Sequence, residues 1–159
     1  MSLVHKTLRT NAAVPRPPSA SVLIRSFSDT GDGAGLVFLA EACRGHGNEP
    51  PVPAAVFAGV LAGRPGRDVR AWVAQDEKQP RDGQVLGFAA LVVAPPRLSV
   101  GWLLVHPAAR RSGVGTALVD RVIAEAALLG AREVHVDTLT RWPAAVAFWE
   151  RMSERHSGR

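Results

Sequence analysis

A glycine-rich turn, Arg110-Arg111-Ser112-Gly113-Val114-Gly115-Thr116, separates an apolar run, Val100 to Val105, from a helical pattern that continues to Leu129. A strand that turns through glycines into a helix leaves backbone N–H groups without partners at the positive end of the helix dipole. That is a cradle for a phosphate or pyrophosphate. Gly113 and Gly115 remove side chains where a ligand would approach the backbone. Two common nucleotide folds do not fit. No Lys-Ser/Thr follows the second glycine, so this is no P-loop, and Leu118 stands where a dinucleotide fingerprint wants a third Gly or Ala. Such a fingerprint also usually opens a βαβ unit rather than falling two-thirds along a chain.

The neighbouring pattern predicts an α/β (α+β) domain. Val22 to Phe27 reads as a strand and Leu36 to Cys43 as a helix, after a loop starting at Asp29 or Thr30. Residues 44–53 are rich in Gly and Pro and read as a loop, with Pro53 opening a helix over 54–61. Val69 to Gln75 and Gln84 to Val93 form a hairpin pattern around a turn at 78–83. A turn at Pro95-Pro96 leads to a strand over Leu98 to Val105. In the following helix Leu118, Val122, Ala126 and Leu129 make one stripe, widened by Val119 and Ile123, and Gly130 supplies the stop. Val134 and Val136 alternate with His135 and Asp137 as a half-buried strand. Pro143 opens a last helix to about Glu154.

Composition narrows the function classes. The chain has 159 residues, 47% of them hydrophobic, which suits one globular domain at 21–159 behind a flexible tail at 1–20. The apolar run near Val85 to Ala94 is too short to span a membrane. Cys43 is the lone cysteine and the five His residues show no H-x-x-x-H spacing, so neither a disulfide nor a metal site is expected, and a reducing cytoplasm is the simplest compartment. The net charge of +5 comes from Arg far more than Lys, without a basic run. That reads as a surface attractive to a small polyanion rather than to nucleic acid. Lys6, Arg9, Arg16 and Arg25 without acidic neighbours invite a transit-peptide reading, but Pro15, Pro17 and Pro18 break an amphipathic helix.

The run from Leu104 to Val119 resembles motif A of the GCN5-related N-acetyltransferase (GNAT) family. Val105 and Pro107 match its V-x-P, and Arg110, Gly113 and Gly115 match its Q/R-x-x-G-x-G/A. Ala145-Val-Ala-Phe148-Trp149-Glu150-Arg151 resembles the family's A-x-x-F-Y-E-R/K helix. The resemblance spans about Val22 to Arg151, with recognisable motifs in the last third. It implies a mixed, largely antiparallel sheet flanked by helices. It also implies acetyl-CoA as co-substrate, held by Leu104, Val105, Arg110, Arg111, Ser112, Gly113, Val114, Gly115, Thr116 and Trp149. The implied acceptor is an amine of a small molecule or protein, attacking the thioester directly without a covalent enzyme intermediate.

Acetyl transfer needs a neutral amine. An alkylammonium with a pKa near 10.4 is about one part in 2,500 neutral at pH 7, a cost of roughly 4–5 kcal/mol. A base therefore matters. The resemblance implies a Glu eleven residues before Arg110, where Ser99 stands; Ser99 can hold a water but cannot act as a base. His106 reads as a cap of the turn, and Glu41 or Asp76 could act only through water, so no catalytic residue is assigned. For drawing in a cationic acceptor, Glu41 and Glu49 are the Glu candidates within residues 29–68. The implied general acid is a Tyr, but the chain has none and Trp149 takes its place; Trp142 replaces an Asn. These departures keep open a second reading, a CoA-binding or partner-binding module without catalysis. The family's last two strands are also missing, leaving the Val134 strand as a bare edge. A second subunit in a homodimer, the N-terminal tail, or an altered gene product would each account for that.

Overall fold

The computed structural model describes residues 2–12, 22–28, 31–43, 66–78, 85–140 and 142–157. In chain order the elements are β1 (Leu3–Arg9), β2 (Val22–Ser26), α1 (Gly33–Cys43), β3 (Asp68–Asp76), β4 (Val85–Ala94), β5 (Arg97–Val105), a 3-10 turn (Pro107–Ala109), α2 (Val114–Leu128), β6 (Glu133–Leu139) and α3 (Pro143–Arg155). The loop expected over 44–53 and the helix over 54–61 lie outside the described residues, as does Glu49. Among the described residues the strands form one sheet in the order β1-β6-β5-β4-β3-β2. All neighbours are antiparallel except β5 and β6. No helix among the described residues is long and apolar enough to cross a membrane.

The sheet is covered on both faces, and strand alternation divides the core accordingly. Ala89 and Leu91 of β4, Val134 and Val136 of β6, and Leu8 of β1 join the α2 and α3 stripes, including Leu118, Val122, Trp149 and Met152. Phe88 and Ala90 of β4 face the other way, onto Leu36, Leu39 and Cys43 of α1. Helix α2 rests close on β4: a Cβ on Gly87 would come within 2.7 Å of Leu118 Cδ1 and 3.0 Å of Val114 Cγ1. The start of α1 is pinned by Arg25, whose guanidinium donates to both Asp32 oxygens at 2.8 and 2.7 Å. That bond holds the Asp32 carboxyl below the usual carboxylate range against the opposing effect of burial, and the Ser28 N–H adds to it.

The N-terminus departs from the flexible tail expected over residues 1–20. Residues Leu3–Arg9 are a strand, paired antiparallel with β6 from Leu3↔Leu139 to Arg9↔Glu133. Of the three explanations for the edge at Val134, this is cover by the chain's own N-terminal segment. The physical reason is the need to satisfy the N–H and C=O row of β6 and to close the core under it. Leu8 is fully buried there, at 0% exposure. The end of α3 locks the arrangement. Asp120 on α2 accepts from Arg155 Nε and Nη2 at 3.0 and 2.7 Å and lies 2.9 Å from His156 Nε2. The Arg9 N–H donates to the His156 carbonyl at 2.7 Å, which ties β1 to the same corner.

Candidate active site

The site begins where β5 leaves its parallel neighbour. Among the described residues β5 and β6 share one ladder pair, Ser99 with His135. Two residues later Gly101 is the extra residue of a bulge, since Leu91 pairs with Val100 and Ala90 with Trp102. A bulge bends its strand and re-aims the residues beyond it. From there β5 runs beside β4, with Gly87 opposite Val105, while β6 runs beside β1. The facing backbone groups of Trp102–Val105 and Asp137–Leu139 therefore stand at a parting between strands, open to an extended polar ligand.

The glycine-rich turn closes the wide end of this parting. His106 accepts from the Ala108 N–H through Nδ1 at 3.1 Å and so caps the 3-10 turn, the role its sequence position suggested. Arg110 Nε donates to the Val105 carbonyl at 3.2 Å, folding its side chain back over the strand end. The Ser112 hydroxyl donates to the Ala109 carbonyl. Arg111 has φ 64° and Gly113 has φ 89°. For Arg111 this left-handed conformation costs about 1–2 kcal/mol, a local strain of the kind found where backbone must present groups to a ligand. Gly113 is the residue before α2 and supplies no side-chain cap, so the first N–H groups of α2 have no partner from it. No carboxylate sits in this first turn of α2 to compete with an incoming anion.

Beyond the turn, α3 supplies the wall. A Cβ on Gly115 would lie 3.1 Å from Phe148 Cε2 and 3.5 Å from Val105 Cγ2, so strand end, first helical turn and Phe148 meet at this glycine. The sequence motif named Phe148 but did not place it in the site. Trp149, the residue proposed there from the sequence, is 6% exposed and packs in the main core, with its ring edge-on to Phe148 at 5.0 Å. Leu104 is buried on the α1 face, whereas Val105 is half-buried towards α2. Cys43, at the end of α1, donates through Sγ to the Val105 carbonyl at 3.4 Å, so its thiol is a core group below the strand end. Residues 104, 105 and 110–116 thus come together around one strand end, with Trp149 one layer deeper. Glu41 is exposed on α1, and Asp76 ends β3 accepting from the Lys78 N–H.

A helix N-terminus without a side-chain cap, behind a basic glycine turn at the end of parting strands, suits the anionic end of an extended ligand. The profile of the acetyltransferase (GNAT) family matches residues 39–153, and the chain belongs to that family. Solved structures agree on the fold. The chain is 19% identical to the ribosomal-protein-S18-alanine N-acetyltransferase of Escherichia coli, with TM-score 0.64, covering 82% of this chain and 76% of that one. An acetyltransferase of Streptococcus agalactiae gives 17% identity and TM-score 0.67, over 84% and 82% of the two chains. A GCN5-related N-acetyltransferase of Sphaerobacter thermophilus gives 16% and 0.67, covering 86% of this chain; this chain spans 42% of that longer one. No curated protein matches the sequence.

Proposed function

We propose that the protein transfers the acetyl group of acetyl-CoA to a primary amine, of a small molecule or a protein, by direct attack on the thioester. The observation that carries this reading is the α2 N-terminus, which has no side-chain cap and lies beside Arg110 and Arg111 where β5 and β6 part. The N–H groups of Arg111 to Thr116 receive the pyrophosphate, and the two guanidiniums add charge around it. The β5 edge at Leu104–Val105 pairs with the pantetheine amides and orients the thioester carbonyl, where a backbone N–H stabilises the oxyanion. The amine nitrogen forms a bond to the carbonyl carbon as the C–S bond breaks. The thiolate is a tolerable leaving group, since a free thiol has a pKa of about 8.5. The acceptor is an amine rather than nucleic acid or lipid, and the setting is cytoplasmic, where acetyl-CoA is available to a chain with a single thiol.

Calorimetry with acetyl-CoA, together with thiol release over a panel of an alkylamine, an amino sugar and a peptide α-amine, tests the reading. Binding with amine-dependent release supports it, and absence of binding overturns it. Gly115→Val is expected to weaken acetyl-CoA binding at least tenfold, because the added side chain must enter the space held by Phe148 and Val105. Unchanged affinity in a folded variant would move the binding site elsewhere. One observation favours a second reading: Trp149 fills core space where the family carries a proton-donating Tyr, and an indole N–H is a donor only. A module that binds acetyl-CoA without turning it over would bind in calorimetry and release no thiol with any amine.

A further inference from the structure

Covering the Val134 strand moves the free edge of the sheet outward. Among the described residues β1 is the last strand on its side, with β6 between it and β5. Its backbone groups divide by parity. In an antiparallel ladder, residues that exchange both bonds with the neighbouring strand alternate with residues whose N–H and C=O point away from it. The Ser2 carbonyl accepts from the Thr140 N–H, and the Thr10 N–H donates to the Arg132 carbonyl, so the even-numbered residues turn to β6. The odd-numbered residues turn outward, and the outward Arg9 N–H is taken by the His156 carbonyl. Leu3, His5 and Thr7 present the other outward groups, and among the described residues these have no backbone partner.

A trough of about 720 Å³ runs along this edge. Leu8 points into the α3 core, so by alternation Lys6 shares its face while His5, Thr7 and Arg9 lie on the other. Lys6 with Ser153 and Glu154 of α3 walls the trough on one side, and His5, Thr7 and Arg9 wall it on the other. The backbone row between them is open to an added strand. The row also fits an inverted copy of itself. Turned about a two-fold axis at His5, Leu3 faces Thr7 of the partner subunit, His5 faces His5 of the partner subunit, and Thr7 faces Leu3 of the partner subunit. Every outward N–H then meets a carbonyl, in a closed, isologous contact. Neighbouring registers fit worse. A slip towards Arg9 needs the N–H that His156 holds, and it sets Lys6 against Lys6 of the partner subunit, a like-charge pair. A slip the other way carries Thr7 past the start of the partner's strand. In the register centred on His5, Lys6 stands opposite Val4 of the partner subunit. The pairing also covers Leu3, a large apolar side chain that is 62% exposed at this edge.

We propose that two copies of this chain join β1 to β1, antiparallel and centred on His5, so that one sheet runs through both subunits. Main-chain bonds supply the attraction, as in other strand additions at a sheet edge. The edge lies across β6 from the β5 end that carries the glycine turn. The pairing is therefore independent of the proposed acetyl transfer.

Sedimentation equilibrium over a range of concentrations tests the dimer, with wild type beside Thr7→Pro. Proline removes an outward N–H and leaves the bonds to β6 in place, which an edge strand tolerates. The expected result is a wild type that reaches twice the chain mass. Thr7→Pro should raise the dissociation constant at least about tenfold, since symmetry removes the bond twice, with unchanged melting and acetyl-CoA affinity. Cross-linking checks the register. Facing residues of a bonded pair stand about 5.5 Å apart at Cα, within reach of a disulfide, so His5→Cys should link two chains on mild oxidation. Lys6→Cys should not, because its diagonal counterpart stands about 7–8 Å away; the native Cys43 is buried. A wild type at the mass of one chain throughout overturns the proposal and leaves the edge to an extended peptide of another protein. A dimer that Thr7→Pro does not weaken places the interface elsewhere and overturns it too. If Thr7→Pro does not fold, the cross-link decides, and a His5→Cys protein that stays unlinked where wild type is dimeric overturns the pairing.

Discussion

Removal of residues 2–9 is expected to yield an insoluble protein, or one that melts without a cooperative transition. Two losses coincide. The β6 edge from Glu133 to Leu139 loses its antiparallel partner and presents an unpaired row to other chains. The core loses Leu8, a fully buried side chain seated among Val134 and the α3 residues. Leu8→Ala alone should cost about 2–5 kcal/mol, a large share of the roughly 5–15 kcal/mol available to a domain. Soluble yield and thermal unfolding by circular dichroism check both variants. A truncated protein that melts like the full chain would mean that β1 is dispensable.

Asp120→Ala is expected to destabilise by about 3–5 kcal/mol, as for other enclosed ion pairs that lose one partner. The side chains of Asp120, Arg155 and His156 are 18%, 10% and 3% exposed, so the orphaned guanidinium and imidazole cannot rehydrate without opening the corner. The same carboxylate sets an acid limit. Burial pushes the Asp120 pKa up, but hydrogen bonds from His156 and Arg155, reinforced by the Arg155 charge, outweigh it and hold the pKa below the ordinary value. A depressed folded pKa gives a contribution that is complete above the unfolded carboxylate pKa, about 3.9, and is lost as pH falls through the lower folded value. Asp32, depressed by Arg25, acts with the same sign. Urea midpoints measured from pH 6 to pH 2 should fall steeply below about pH 4. The slope should flatten in Asp120→Ala, and a slope equal to that of wild type would remove Asp120 as its source.

Strong periodicity made most elements legible. The α2 stripe and its Gly130 stop lie where the spacing puts them, and Gly130 has the positive φ of 81° that a helix stop favours. The turn at 110–116 was legible because its glycines have local causes. What escaped reading depends on distant partners. The strand Leu3–Arg9 buries only Leu8 fully, and its interleaved His5, Lys6 and Thr7 look like a solvated tail until β6 lies beside them. The start of α1 moves back to Gly33, where the Arg25 guanidinium holds Asp32 just ahead of the helix, a tertiary pairing that helical spacing does not reveal. Phe148 and Trp149 are adjacent aromatics that the sequence cannot tell apart. Only helix rotation directs one to the turn and the other to the core. The contact of His5 with Asp137 was equally hidden, since 132 positions separate the two.

The strand that finishes the sheet has a consequence for the order of assembly. His5 and Asp137 touch across a separation of 132 positions, and their strands pair at one edge of the sheet. During synthesis β1 emerges early and has no ladder to join until β6 and α3 are made. Non-local pairings of this span are slow to close, and an unpaired strand held in waiting is exposed to other chains. The sparse hydrophobicity of β1, with a cation at Lys6 and Arg9, keeps the waiting segment soluble. Folding of this protein is therefore gated by its last helix, and a ribosome-stalled chain ending before β6 should remain open to protease at its N-terminal segment while the β3–β4–β5 meander is already protected.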